Sequence, residues 1–270
     1  MTQLLQKNYI NPSIETVVYT REENLCWQEL YSKQLELLEG RVHESFWEFL
    51  EELNLPKDRI PQLYEPSNIL RKKTGWSITE VDGLINSDDF FILLANKIFP
   101  STTYIRTNSG FSRDPDIFHE LFAHCPILLD KDYAIFLSEI ARFALECSKL
   151  EQMIIQRFLW YTIEVGLIQT SHGLRIYGGA LISSPQEVIY SLESKEPERK
   201  AFNLLEIARS PYRADVLQST YYIINDFQEL YNFEFSLKKL SNVVADAKRL
   251  GEYQAKFNIE NNKYTNVNIF

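Results

Sequence analysis

FHELFAHCP, Phe118 to Pro126, gathers two of the chain's four histidines into six residues, with Glu120 beside the first. The stretch resembles a zinc-protease signature lengthened by one residue. HExxH sets its histidines four apart, about 40° from eclipsed on an α-helix, with the glutamate as general base. Five apart is about 140°, so His119 and His124 cannot chelate from one face of a regular helix. Asp114-Pro115-Asp116, just upstream, has the form of a helix start, with Asp114 as N-cap and Pro115 at the first helical position. That start puts His119 in the second turn, and Pro126 ends or distorts the helix just after His124. Two readings are open. The last turn widens toward i→i+5 bonding, or unwinds, and the imidazoles converge on a metal. Otherwise His119 is a core or capping residue and His124 an exposed one.

A third candidate ligand lies 40 residues on. In FLWYTIEVGLI, Phe158 to Ile168, Glu164 is the only charge in an apolar helical run. A carboxylate buried there needs a partner. Arg157 or Arg175 could supply a salt bridge, and so could a metal cation. Two imidazoles and one carboxylate form the facial set of non-haem Fe(II) sites, which keep positions open for O2 and a cosubstrate. No pair of thiolates suggests structural zinc, and Cys125 reads as a small buried hydrophobe.

Working outward, apolar spacing predicts two helices between Glu22 and Leu53, broken near Gly40, then a loop from Leu53 to Ser67. IRTNSGFSRDPD, Ile105 to Asp116, reads as irregular. From Asp132 to Ile168 the pattern predicts two packed helices that end near Gly166 and lie at the centre of the core. RIYGGALISS is strand- or turn-like, Ser184-Pro185 suits the start of a helix, and a late helix is expected from Asp226 to Leu250. No repeat or linker-like composition intervenes. The expected fold is mainly α with a few short β-strands, one domain over 1–270 with its core at about 11–250 and a tail, 251–270, of open conformation.

Composition narrows the function classes. A net charge of −9 and no basic run longer than Arg71-Lys72-Lys73 argue against an extended nucleic-acid or anionic-membrane surface. Three cysteines without a CxxC pair suit reduced thiols in a cytoplasmic protein, and no apolar run is long enough for a membrane span or leader. The expected partner is a small molecule.

Four ordered segments resemble the pterin-dependent aromatic amino acid hydroxylases: VDGLINSDDFF (81–91), YIRTNSGFSRDPDIFHELFAHCP (104–126), WYTIEVGL (160–167) and YGGALISSPQE (177–187). The likeness covers the family's catalytic domain and is strongest to its compact bacterial, phenylalanine-hydroxylating members. It implies that His119, His124 and Glu164 hold Fe(II). It implies a tetrahydropterin stacked on Phe90, met by the backbone of Gly83, Leu84, Ile85 and Ser87 and, through water, by Glu120. Arg106 would take the substrate carboxylate beside Ser112, where the family usually has threonine. Trp160 would wall the ring pocket, and Ser183 would orient His119. Without the likeness Phe90 and Trp160 read as core, and Arg106 as a surface cation.

Two positions depart from the family pattern. Leu159 replaces a common tyrosine, and Val165 replaces a phenylalanine and is expected to enlarge the substrate pocket. Trp160 and Ala214 favour L-phenylalanine over tryptophan or tyrosine. The implied reaction is 4-hydroxylation of phenylalanine to tyrosine with O2 and a tetrahydropterin, by a monomer or homodimer. The other readings are a tryptophan or tyrosine hydroxylase of this family, a zinc hydrolase with Glu120 as base, and an inactive ligand-binding relative.

Overall fold

The structure, a computed structural model, describes residues 16–107, 115–231 and 233–256, the stretch 233–238 by its backbone alone. Helix α1, Arg21–Leu38, opens with a capping box in which the Thr20 side chain accepts from the Glu23 N–H and the Glu23 carboxylate accepts from the Thr20 N–H. It buries Trp27, Leu30, Tyr31, Gln34 and Leu38, one stripe at helical spacing. Gly40, at φ +67°, turns the chain into α2, Ser45–Leu53, which stops at left-handed Asn54.

The segment expected as a loop through Ser67 is already helical at Tyr64, the start of α3 (Tyr64–Lys73). Pro66 sits in the first turn, where no N–H is missed, and the Glu65 carboxylate accepts from the Gln62 N–H and pairs bidentately with Arg59. Strand β1, Ser77–Glu80, and β2, Ile98–Ser101, pair in parallel around the crossover helix α4, Ser87–Ala95. At four residues each, these strands are too short for alternation to announce them.

The two central helices are α5, Lys131–Leu145, and α6, Lys149–Leu159, started by Asp130 and by a Ser148–Glu151 capping box. Both feed one continuous cluster of buried side chains that runs from Trp27 to Ala247. A hairpin follows, β3 (Leu167–Thr170) and β4 (Gly173–Ile176), closed at Gly173 with φ +104°. RIYGGALISS is therefore strand only through Ile176. Gly179–Ser183 is helical, α7, and Ser184 then caps α8, Pro185–Glu193, by accepting from the Glu187 N–H.

Strand β5 (Glu198–Ala201), helix α9 (Leu204–Arg209) and strand β6 (Thr220–Ile224) complete a four-stranded sheet of order β4-β3-β6-β5. The late helix is described as α10 (Gln228–Tyr231) and α11 (Phe233–Leu250), on either side of residue 232, which lies outside the described residues. The first residues of the tail dock on α9: the Tyr253 N–H donates to the Arg209 carbonyl, and the Arg209 guanidinium lies 4.0 Å over the Tyr253 ring. The fold is that expected, mainly α with a few short β-strands.

Candidate metal centre

The HELFAH segment takes the wider turn. Residues His119–His124 form a π-helix, and the Cys125 N–H donates to the Glu120 carbonyl five residues back, at 3.1 Å. At roughly four and a half residues per turn, five positions come round to nearly one face. The His119 and His124 Nε2 atoms lie 3.0 Å apart with their rings edge to face. The helix itself starts at Ile117, so the expected cap is displaced. Asp116 accepts from the His119 N–H at 3.1 Å, which puts His119 in the first turn, and Asp114 lies outside the described residues.

A second π-helix, Trp160–Glu164, continues α6, with the Val165 N–H donating to the Trp160 carbonyl at 2.9 Å. It delivers Glu164 Oε2 to 3.2 Å from His124 Nε2 and 3.8 Å from His119 Nε2. Neither expected arginine competes for this carboxylate. Arg157 pairs with Glu252, and Arg175 reaches the Leu174 carbonyl. Three donors held about 2.1 Å from one cation at right angles would stand roughly 3 Å apart. The observed spacings of 3.0, 3.2 and 3.8 Å fit that arrangement.

Glycines make the convergence possible. A Cβ on Gly179 would stand 2.3 Å from His124 Cε1, and one on Gly178 would stand 2.4 Å from the Glu164 carbonyl oxygen. Helix α7 thus packs its backbone directly on both π-helices. Its last residue, Ser183, meets His119 Nδ1 at 2.8 Å, which leaves Nε2 facing the other donors.

Charge separates two nearby glutamates that distance alone does not. A Glu120 carboxylate oxygen lies within 4.8 Å of the imidazole donors, closely enough to count as a ligand. Burial raises its pKa to about 8. Burial also disfavours charge on Glu164, but attraction to His124, the hydrogen bond with it and the His119 ring outweigh that, and its carboxyl stays below the usual range. Burial brings His119 down to about 3, keeping it a neutral donor, whereas Glu164 overrides burial at His124 and moves that imidazole up. Glu164 is the anionic donor, and Glu120 is better suited to a hydrogen bond with a ligand.

The donors border a cleft of about 1130 Å³, its open mouth included. Gly83, Leu84, Ile85 and Phe90 line one side, Gly83 at φ +86° with nothing close to it. Arg106, Glu120, Trp160 and Ser183 also reach the cleft, with Leu159 and Ala214. Two expectations differ, those for Ser87 and Val165, and a third falls on a residue that is not described. Ser87 is the first residue of α4 and does not line the cleft, Ser112 lies outside the described residues, and Val165, 1% exposed, lies behind the wall. The smaller side chain at 165 therefore changes the packing behind the pocket and not its lining.

Asp116 is the functional residue the sequence reading undervalued. Fully buried, it takes the Arg106 Nε at 2.8 Å and Nη2 at 2.6 Å, the Arg106 N–H at 2.9 Å and the His119 N–H. One carboxylate thus fixes both the Arg106 guanidinium at the cleft and the first imidazole. The local sequence showed only a helix start, and the pairing across ten residues is tertiary.

Comparison with known proteins agrees with this geometry. Residues 2–267 match the family described as biopterin-dependent aromatic amino acid hydroxylase. The phenylalanine-4-hydroxylase of Pseudomonas aeruginosa is 42% identical over 235 residues, 86% of this chain and 88% of that protein. An apo structure of the cold-active phenylalanine hydroxylase of Colwellia psychrerythraea aligns with a TM-score of 0.88 and 38% identity, over 93% of this chain and 98% of that one. The Chromobacterium violaceum phenylalanine hydroxylase, in a structure with iron(III) and 7,8-dihydrobiopterin, aligns at 0.82 and 35% identity, over 90% and 88%.

Proposed function

We propose, from the premise that this chain belongs to the biopterin-dependent aromatic amino acid hydroxylase family, that it is a phenylalanine 4-monooxygenase. It converts L-phenylalanine to L-tyrosine with O2 and a tetrahydropterin at a non-haem Fe(II). The observation that carries this reading is the meeting of His119, His124 and Glu164 Oε2 within 3.8 Å of one another at the edge of an apolar cleft. Bound Fe(II) would activate O2 and the tetrahydropterin would supply two electrons, one oxygen atom of O2 being added at C4 of the ring and the other leaving with the oxidised pterin.

The chain's own residues bind, orient and exclude water. His119, His124 and Glu164 hold the metal, and Ser183 fixes which His119 nitrogen faces it. Phe90 offers the pterin an aromatic face, the backbone of Gly83, Leu84 and Ile85 offers it hydrogen bonds, and Glu120 meets it through water. Arg106, held flat by Asp116, takes the substrate carboxylate, with Ser112 assigned beside it by family likeness alone. Trp160, Leu159 and Ala214 enclose the ring, and Leu137 and Ile163 keep that end dry.

We read the chain as one catalytic domain, 1–270, active as a monomer or homodimer in the cytoplasm. The single continuous core supports the first point. No described helix is long and apolar enough to cross a membrane, and the net charge of −9 disfavours a nucleic-acid partner.

The test is tyrosine formation from phenylalanine, a tetrahydropterin and Fe(II) under air. His124→Ala and Glu164→Ala should each abolish it and lower bound iron by elemental analysis. Wild-type turnover by either variant, or zinc-dependent hydrolysis without pterin, would refute the reading.

A further inference from the structure

Trp160 does not stand alone as a wall. Its indole stacks on Tyr212, ring centroids 4.7 Å apart at 12°, and its Nε1–H donates to Gln218 Oε1 at 3.1 Å. The Gln218 amide has no freedom to flip. Its NH2 group donates to the Arg213 carbonyl at 2.7 Å and the Val216 carbonyl at 2.8 Å, groups that only accept, while the indole N–H only donates. Gln218 is 5% exposed, so each of these bonds is made away from water.

The same short segment is tied to the same π-helix a second time, through the Tyr161 hydroxyl, which donates to the Pro211 carbonyl at 3.0 Å. Ala214, between the two carbonyls that Gln218 holds, lines the cleft beside Trp160. On its other side Gln218 leads toward the metal. Its backbone N–H and the Tyr221 hydroxyl both donate to the buried Glu187 carboxyl, and the Glu187 N–H is the one capped by Ser184, next to Ser183.

We propose that Gln218 is a positioning residue for the substrate ring, its single amide clamping Trp160 and the Tyr212–Val216 segment into one rigid pocket wall. This rests on the reading above that Trp160 encloses the ring. Nothing at Gln218 touches a reacting atom. Its effect is on how tightly the ring is held and on how often activated oxygen reaches it.

The experiment compares wild type, Q218M, Q218E, W160F and the Q218M/W160F double variant, all iron-loaded. It reads KM for phenylalanine, kcat, tyrosine formed per pterin oxidised and the 15N-indole resonance of Trp160. Q218M should raise KM by roughly three- to tenfold, the worth of one or two buried hydrogen bonds, with a smaller change in kcat. It should also lower tyrosine per pterin and shift the indole resonance. Q218M should cost less in the W160F background than in the wild type, because the indole bond is already gone and only the two carbonyl bonds remain to be lost. Q218E keeps an acceptor for the indole but sets a carboxylate oxygen against two carbonyls. It should lower tyrosine per pterin while the indole stays bonded, so it carries the test if Q218M does not fold.

Unchanged KM and tyrosine yield in Q218M and Q218E, or losses that multiply in the double variant, overturn the proposal. A wild type that makes no tyrosine refutes the proposed reaction instead. Calorimetric binding of phenylalanine to the same variants then decides the role of Gln218 alone, with weaker binding to Q218M expected and equal binding overturning it.

Discussion

Asp116 shows how much one side chain can organise. It binds the Arg106 fork and the first turn of the ligand helix together. Asp116→Ala should destabilise the protein by about 3 kcal/mol, because a buried guanidinium loses its bidentate partner, and should raise KM for phenylalanine through a misplaced Arg106. Chemical denaturation and steady-state kinetics would show both, and a stable variant with normal KM would disprove the coupling. At this scale the sequence was informative where chemistry is rare. Glu164 stood out as a lone charge in an apolar run, and its carboxylate lies 3.2 Å from His124 Nε2. Asp116, Gln218 and Glu187 were not legible, because each is a common polar residue whose meaning comes from a partner far along the chain or across the fold.

Elements were legible in proportion to their length and caps. Helices α1, α5 and α6 carry apolar stripes over three turns or more with Thr20, Asp130 and Ser148 at their starts. The four-residue strands and the five-residue α7 fall below any period, so RIYGGALISS read as strand or turn. The glycines that misled that reading are there for contact and not for a turn. Gly179 lies against the His124 ring, and Gly179→Ala should displace that imidazole and lower iron stoichiometry while far-UV circular dichroism stays near wild type. Gly83→Ala, strained at φ +86° but with nothing within 4 Å of the new methyl, is the control for backbone strain alone and should keep its iron. Equal iron in both variants would contradict the packing argument. The turn widening at His119 was foreseeable from Pro126 and the spacing of the histidines. That Trp160–Glu164 widens as well left no mark in the sequence.

At the scale of the whole molecule, a buried glutamate sets how stability changes with pH. Burial raises the Glu187 pKa to about 7, against the hydrogen bonds from Tyr221 and the Gln218 N–H, so the folded state holds its proton more tightly than the unfolded chain. That contribution is complete below about pH 4.5 and is lost as pH rises through about 7. Glu187→Gln should flatten the decline over this window and melt above wild type at pH 8, by differential scanning calorimetry. A parallel pH profile would exclude Glu187 as its source. The core itself is one cluster of apolar side chains from α1 to α11. Each π-turn amounts to one surplus residue in an otherwise ordinary helix. Fold and chemistry are therefore separable by insertion. Removing Ala123 leaves His-Glu-Leu-Phe-His on a regular helix, its imidazoles still on one face at four-residue spacing, and should keep both circular dichroism and bound iron. Doubling Ala123 separates the imidazoles and should lose the iron alone. The catalytic site is in that sense an error of helical phase, made twice and retained.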